Sequence, residues 1–257
     1  MIYIIICLTA LVISFLTLFT GFGLGTILLP VFALFFTVET AVAMTAVVHL
    51  SNNLFKLVLV GRKVERSIFL KFVLPGVISA FAGALLLTFF AELPVITIYM
   101  IGDREFQITV LKIVIGILLI GFAFIELLPR FANIKFDKKW LPLGGAVSGF
   151  FGGLSGHQGA LRSAFLSKAG LDNESFIAAG VVSSVLIDIT RISVYASNIS
   201  IINKNTDWIL VSAAIIAAFI GAYAGSRIIK KLSIKFIQIL VGTMLILVGC
   251  FLIIGLI

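Results

Sequence analysis

The chain has 257 residues, of which 61% are apolar and 12% are charged. Soluble domains are about 45–50% apolar and about 25% charged, so the composition excludes an ordinary soluble protein and indicates that the bilayer is the solvent. The net charge of +8 comes from short basic clusters between apolar blocks, which indicates cytoplasmic loops rather than a nucleic-acid-binding face. Cys7 and Cys250 lie within apolar segments and form neither a disulfide framework nor a metal site.

Seven apolar segments have about the length that crosses the hydrocarbon core as a helix, about 20 residues. The first lacks the basic n-region and the small-residue cleavage site of a signal peptide, so it is predicted to remain as a membrane segment. The predicted fold class is therefore all-α, a polytopic membrane protein. The segments are residues 2–20, 41–60, 72–91, 110–128, 176–197, 208–225 and 236–257.

Two further stretches, residues 21–37 and 143–170, are rich in glycine or interrupted by it and do not have the pattern of a spanning helix. The second has about a dozen residues before its glycine cluster, about 18 Å of helix at 1.5 Å per residue, which is too short to cross. Both stretches are predicted to be broken or re-entrant helical hairpins.

The basic residues assign the loops to the two sides of the membrane. Loops 92–107 and 198–207 carry little positive charge and are predicted to lie outside. Residues 143–170 must then enter and leave on one side, and residues 2–37 must form a hairpin that starts and ends outside. If both hairpins crossed fully instead, the second half would invert and its four basic residues would face outside. The residues predicted to be cytoplasmic are Arg62, Lys63, Arg66 and Lys71, then Arg130, Lys135, Lys138 and Lys139, and finally Arg227, Lys230, Lys231 and Lys235.

This orientation predicts an internal repeat within one membrane domain. Residues 1–130 and 131–257 would be inverted repeats, each a hairpin followed by three transmembrane helices, as in many secondary transporters. Placing Gly25 on Gly159 aligns the apolar helices that follow without a gap, although few residues are identical. The charge pattern and the alignment are independent signals for the same architecture.

The glycine turns of the two hairpins are the predicted substrate site. Non-helical backbone at membrane depth is tolerated where it is buried in protein or lines a cavity. A helix that restarts after such a turn directs unpaired N–H groups and a positive dipole end at the break, which favours an anion. Close helix packing through small residues is the alternative explanation. The candidate binding residues are Gly21, Gly23 and Gly25 in the first turn and Ser155, Gly156, His157, Gln158 and Gly159 in the second.

Polar residues within the apolar segments extend this candidate site, because a charged side chain at membrane depth usually lines a pathway or pairs internally. Arg162 is a candidate anion contact, since a guanidinium stays charged and binds oxyanions with two hydrogen bonds. Asp188 and Arg191 share one helix face at i and i+3, and they are either substrate ligands or a self-neutralising structural pair. Asn52 and Asn53 would donate amide hydrogen bonds to a substrate or to neighbouring helices.

Two histidines and one lysine in these segments have their own interpretations. His157 is interpreted as a pathway residue rather than a metal ligand, since no other His, Cys or carboxylate stands at ligand spacing. Lys56 is predicted to extend to the membrane interface. His49 lies in the middle of an apolar segment.

At the glycine turns the chain resembles the sulfite exporter TauE/SafE (TSUP) family of bacterial membrane transporters. The family repeats a Gly-x-Gly-Gly-Gly-x-x-x-x-Pro pattern at the start of each half. Residues 21–30 fit the first copy with Leu24 in place of one glycine, and residues 156–164 depart further, with His157 and Gln158 in the turn and Ala164 in place of the proline. The resemblance covers essentially the whole chain.

The resemblance implies transport of sulfur-containing anions such as sulfite or organosulfonates across the cytoplasmic membrane, coupled to protons or another gradient. The polar, basic second turn favours an oxyanion, organosulfonate or related carboxylate. The predicted partners are this small anion, the lipid bilayer, and a coupling proton or cation. Neither nucleic acid nor a cofactor is predicted, and neither a P-loop nor a dinucleotide fingerprint is present. The substrate, the direction of transport and a homo-oligomeric state are left open.

Two other functions were compared with a transporter. An anion channel or another non-enzymatic membrane factor could also use inverted broken hairpins. An intramembrane serine protease is suggested by residues 153–156, which read Gly-Leu-Ser-Gly. Rhomboid-like proteases need a His on a helix after the serine, however, and His157 is the only His after Ser155. The sequence therefore favours a transporter over an enzyme.

Overall fold

A computed structural model of the protein describes residues 1–17, 24–60, 64–128, 136–197, 206–228 and 234–257. This part of the chain consists of α-helices, with one two-stranded β-hairpin and short π and 3-10 turns. The predicted all-α, polytopic membrane class is confirmed, and the β-hairpin is a small addition to it.

The described residues of the first half form five helices. Helix α4 contains a π-helical turn at Phe69–Val73, directly before Pro75. Proline cannot donate an intrahelical hydrogen bond and crowds the preceding turn, so the wider π turn accommodates it. The helices are α1 (Ile2–Thr17), α2 (Leu24–Ala33), α3 (Val38–Val60), α4 (Arg66–Glu92) and α5 (Val110–Leu127).

The described residues of the second half repeat this order. A short 3-10 turn at Lys138–Trp140 leads into them. A glycine break divides the hairpin helices α6 and α7, and three long helices follow. The helices are α6 (Leu141–Ser155), α7 (Gly159–Leu166), α8 (Asn173–Ser197), α9 (Trp208–Ile228) and α10 (Ile234–Ile253).

Four helices of the described chain are long and apolar enough to cross a membrane. They are α3, α4, α8 and α9, and each contains one of the predicted spanning segments. Helices α1, α2, α5 and α10 contain shorter apolar stretches. Helix α4 begins at Arg66, so Arg66 and Lys71, predicted to lie in a loop, belong to its first turns.

The loop between α4 and α5 is a β-hairpin that the sequence analysis did not predict. Strands β1 (Val95–Ile101) and β2 (Arg104–Thr109) pair antiparallel. Gly102 between them has φ +60°, as the first central position of a type II′ turn requires. The Gly-Asp pair between two alternating strands was the available signal.

Helices α4 and α6 pack in parallel with their backbones in close contact. A Cβ atom on Gly76 would lie 3.1 Å from the carbonyl oxygen of Gly145, and one on Gly153 would lie 2.7 Å from the carbonyl carbon of Ala80. Ser79 Oγ also donates a hydrogen bond of 2.6 Å to the carbonyl of Ala146 on the facing helix. Glycine is required here because only a missing side chain permits this approach.

The equivalent helices of the other half make the same kind of contact. Helix α1 corresponds to α6 and α9 corresponds to α4, and α1 packs in parallel against α9. Gly221 faces the backbone of Leu11, and one turn later Gly225 faces the backbone of Phe15. Each hairpin therefore packs its first helix against a long helix of the opposite half.

The last helices of the two halves pack antiparallel to each other. Gly116 of α5 faces Gly249 of α10, and near the other ends Leu127 faces Gly242. Because α5 and α10 hold the same place in the repeated order, the two halves run in opposite directions. This is the relation expected of inverted repeats.

The second hairpin begins and ends on the same face of the fold. Before α6, the backbone N–H of Phe136 donates to the carbonyl of Ala164 at 3.2 Å, and Asp137 lies 3.6 Å from the ammonium of Lys168. The end of α7 thus lies beside the start of α6. This is a re-entrant hairpin rather than a full crossing.

The first hairpin is re-entrant on the opposite face. Tyr3 at the start of α1 donates a hydrogen bond of 2.6 Å to Asp207, which precedes α9. Helix α2 ends four residues before α3, whose Glu39 lies close enough to Lys112 at the start of α5 to attract it. Helices α3, α5 and α9 all begin on the face that carries the β-hairpin, so α1 enters and α2 leaves there.

Candidate functional site

The break in the second hairpin lies at Gly156. Gly156 caps α6 with φ +82°, in the left-handed region that favours glycine, and its N–H bonds to the carbonyl of Gly152. A Cβ on Gly25, at the start of α2, would lie 3.8 Å from the Gly156 carbonyl oxygen and 3.4 Å from Cδ2 of His49. The two hairpins therefore meet at this break. Gly21 and Gly23 lie outside the described residues.

A buried charge cluster lies beside the break. Asp188 accepts a hydrogen bond of 2.6 Å from Nδ1 of His49, and its other oxygen lies 2.9 Å from Nε and 2.8 Å from Nη2 of Arg191. Asp188 and Arg191 are fully buried. The predicted i, i+3 pair forms, and it gains a third partner from the opposite half. The cluster carries no net charge when the imidazole is neutral.

The guanidinium of Arg191 lies directly against the break. A Cβ on Gly156 would stand 2.7 Å from Nη1 of Arg191. Among the described residues this Nη1 has no hydrogen-bond partner. One guanidinium edge is therefore paired with Asp188, while a charged donor remains at the helix break.

Other polar atoms around the break are also buried without a partner in the described chain. They include Nε2 of His157, both side-chain amide atoms of Gln158, and Nδ2 of Asn52. A buried polar atom without a hydrogen bond costs about 1–3 kcal/mol, and native proteins leave few of them. These three residues, together with Arg191, indicate a site that is completed by a ligand or by water.

The ring of His157 is held by its neighbours. It stacks on Phe122 with centroids 5.3 Å apart, and its Nδ1 lies 3.1 Å from the carbonyl oxygen of Ser155 and 3.3 Å from the Ser155 Oγ. A ring nitrogen that faces a carbonyl oxygen carries the proton, so this Nδ1 cannot accept a proton from the serine hydroxyl. The geometry does not fit a serine protease dyad.

Arg162 does not face the helix break at Gly156, where Arg191 lies, but lines a separate cavity. Its Nη1 donates a hydrogen bond of 2.5 Å to Oγ of Ser184, and its Nε lies 3.3 Å from where a Cβ on Gly180 would stand. The described residues that line this cavity include two cations and no acidic side chain. It is lined by Asn53, Lys56, Arg162, Ser163, Phe176, Ile177, Gly180 and Val181.

Lys56 corrects one expectation of the sequence analysis. The side chain does not extend to the interface, because Lys56 is only 7% exposed and lines the cavity near enough to Arg162 to be repelled by it. The start of α8 and the exit of α7 form the rest of the lining. The cavity therefore lies towards the face that carries Lys138 and Lys139.

The two asparagines have mixed surroundings. Asn52 Oδ1 accepts a hydrogen bond of 3.0 Å from Ser14 of α1, which supports the interhelical role. Asn53 Nδ2 donates to the backbone carbonyl of His49 at 3.0 Å and also lies 3.1 Å from Nε2 of that ring. Asn53 thus stands between the charge cluster and the cavity that contains Lys56.

The structure places the predicted residues in two groups along α8 rather than in one shared pocket. Arg162 lies at the Gly180 and Ser184 level of this helix, whereas the break lies at the level of Asp188 and Arg191. Sequence reasoning did not assign His49, Lys56, Ser184 or Gly180 to the site. His49 and Lys56 were visible as polar residues in an apolar helix, but their partners lie in the other half of the chain.

The described residues contain no group of three His, Cys, Asp or Glu side chains that could hold a metal ion.

The fold and this buried site define a multi-pass membrane protein with two antiparallel halves and an interrupted helix beside charged side chains, the arrangement of a membrane transporter.

Residues 6–252 match the family model described as Sulfite exporter TauE/SafE, and the chain belongs to this family of transporters. The resemblance drawn from the glycine turns is thereby confirmed. Comparisons with curated proteins and with solved structures gave no match.

Proposed function

We propose that this protein is a secondary transporter that moves a small anion across the cytoplasmic membrane by alternating access. The substrate is a sulfur oxyanion, an organosulfonate or a related carboxylate. The observation that carries the proposal is the cavity whose lining, as far as the structure describes it, contains both Lys56 and Arg162 and no acidic side chain.

Two buried cations that lie close to each other favour the binding of an anion. The burial of charge is costly, Lys56 and Arg162 are 7% and 4% exposed, and Lys56 is near enough to Arg162 to be repelled by it. Arg162 is oriented by Ser184, and Gly180 leaves room beside its guanidinium. A guanidinium and an ammonium together match the several oxygens of a sulfonate or an oxyanion.

The opposed halves support a carrier rather than a channel. Each re-entrant hairpin ends at the centre of the fold and packs against a long helix of the opposite half, so the halves can rock about a fixed site. The cavity is lined by residues near the basic face, which corresponds to an inward-facing state. In the outward-facing state, α2 and α3 would move away from the helix break at Gly156.

Transport by Arg162 variants in proteoliposomes tests this proposal. Arg162→Ala removes a charged contact of about 3 kcal/mol, so uptake of a labelled anion should fall about 150-fold. Arg162→Lys keeps the charge without the two-pronged geometry and should retain part of the activity. Arg66→Ala is the matched control, because Arg66 is exposed at the start of α4.

Normal uptake by correctly inserted Arg162→Ala protein would remove Arg162 from the transport site. The dependence of the uptake rate on anion concentration distinguishes a carrier from a channel. A carrier gives saturation and exchange of internal for external anion, whereas linear, exchange-free flux would assign a channel.

A further inference from the structure

We propose that the helix break at Gly156 is a second anion-binding site, and that a proton on His49 gives this site its net positive charge. The inference rests on the proposed transport function and assigns its coupling ion. The anion would pass from the cavity of Lys56 and Arg162 to the break, together with a proton.

The break has the groups that an anion site needs. Arg191, His157 and Gln158 are 0%, 3% and 2% exposed, and each has at least one side-chain nitrogen without a partner in the described chain. Gly156 has no side chain to fill the space in front of Arg191. Helix α7 begins three residues later and adds the positive end of its dipole.

The charge balance at the break depends on one imidazole. Asp188 and Arg191 cancel each other, so a neutral His49 leaves the cluster uncharged and the Asp188 carboxylate repels an incoming anion. When His49 carries a proton, the Asp188 carboxylate has two cationic partners, the imidazolium of His49 and the guanidinium of Arg191. The cluster then carries one net positive charge, and the free edge of Arg191 is available to an oxyanion.

Few other titratable groups face His49. On its own helix the nearest is Lys56, one to two turns away. Helix α8 contributes Asp188, Arg191 and, beside them, Tyr195. The second hairpin contributes His157 and Arg162. Helix α2 has no titratable side chain, and on α9 Tyr223 is exposed, with Arg227 near the helix end.

His49 is a better proton carrier than His157. The Nδ1 of His49 is bonded to a carboxylate, which stabilises a positive ring by a charge-assisted hydrogen bond, while that of His157 is bonded to a backbone carbonyl. The side chain of His49 is 13% exposed. Its Nε2 lies 3.1 Å from the amide nitrogen of Asn53, which lines the cavity, so this ring nitrogen is the one that would take up the proton.

The test measures anion binding to purified protein against pH by calorimetry. Sulfate and methanesulfonate are suitable probes because they stay ionised from about pH 5.5 to about pH 8, the range in which histidine titrates. Binding at the break should tighten as the pH falls, by up to about tenfold per pH unit where one proton is taken up with the anion. The second site is isolated by repeating the titration in Arg162→Ala.

Three variants separate a charge role from a structural one. His49→Gln keeps a donor for Asp188 but cannot take up a proton, so the pH dependence should disappear and a pH gradient should no longer drive accumulation. Gln158→Ala removes an amide without a partner and should weaken binding about tenfold at every pH. Ser79→Ala, on α4 and outside the break, removes the hydrogen bond to the carbonyl of Ala146 and serves as a comparison for a loss of fold stability alone.

Anion affinity that does not change with pH in wild-type protein, or an unchanged pH profile in His49→Gln, would overturn this inference. Gln158→Ala with wild-type affinity, or Arg162→Ala that binds neither probe at acid pH, would also reject the second site. Each of these results leaves the proposed transporter function standing, because that function is tested separately by uptake and exchange of anion in proteoliposomes.

Discussion

The close contact of α4 with α6 gives the sharpest prediction about stability. The perturbation is Gly153→Ala, which adds one methyl group to the face of α6 that meets α4. A Cβ at this position would lie 2.7 Å from the carbonyl carbon of Ala80, whereas ordinary contacts are 3.4–4 Å. The carbonyl oxygen of Ala80 would lie closer still, so helix α6 must move away by more than about 0.7 Å at this point.

The expected cost follows from two opposed terms. Overpacking in a close-packed interior costs about 1–3 kcal/mol, and alanine in place of a helical glycine gains about 0.5–1 kcal/mol. The net effect of Gly153→Ala should be a loss of about 1–2 kcal/mol. The displacement also strains the hydrogen bond that Tyr195 donates to the Gly153 carbonyl at 2.5 Å.

Gly121→Ala is the matched control on α5. A Cβ on Gly121 would have no neighbour within 4 Å, so this substitution should stabilise by about 0.5–1 kcal/mol through helix propensity alone. Thermal unfolding in detergent, followed by size-exclusion chromatography, should separate the two variants by about 5–10 °C. Equal stability of Gly153→Ala and Gly121→Ala would refute the packing argument.

Two further predictions concern single hydrogen bonds. Tyr195→Phe removes a buried donor to Gly153 and should lower stability by about 1 kcal/mol, and an unchanged melting temperature would show that the bond is not needed. At the exposed start of α9, hydrogen bonds from Tyr3 and from the backbone N–H of Leu210 lower the pKa of Asp207 from its ordinary 3.8. The stabilisation is present above the ordinary pKa and is lost as the pH falls through the lowered one, so Asp207→Asn should unfold with a weaker acid dependence below about pH 4 than wild type. Identical acid profiles for the two proteins would contradict this assignment.

Several features of the site were readable in the sequence because they are local. The glycine turn with Gly156 predicted the break, and the spacing of Asp188 and Arg191 predicted their pairing on one helix face. The contact of Arg162 with Ser184 was not readable, because the two residues lie on different helices. His49 and Asp188 are 139 positions apart in the chain, so no spacing rule connects them.

Composition determined by itself that this is a multi-pass helical membrane protein, and the placement of basic residues favoured re-entrant stretches over full crossings. Both signals act through the bilayer, which penalises charge and unpaired backbone at every position of a segment. Only the tertiary structure decided that the hairpins meet at Gly156, that Lys56 turns inward beside Arg162, and that His49 completes the charge cluster. These contacts depend on how the two opposed halves pack, and the packing energy is distributed over many glycine and apolar contacts that no single residue pattern encodes.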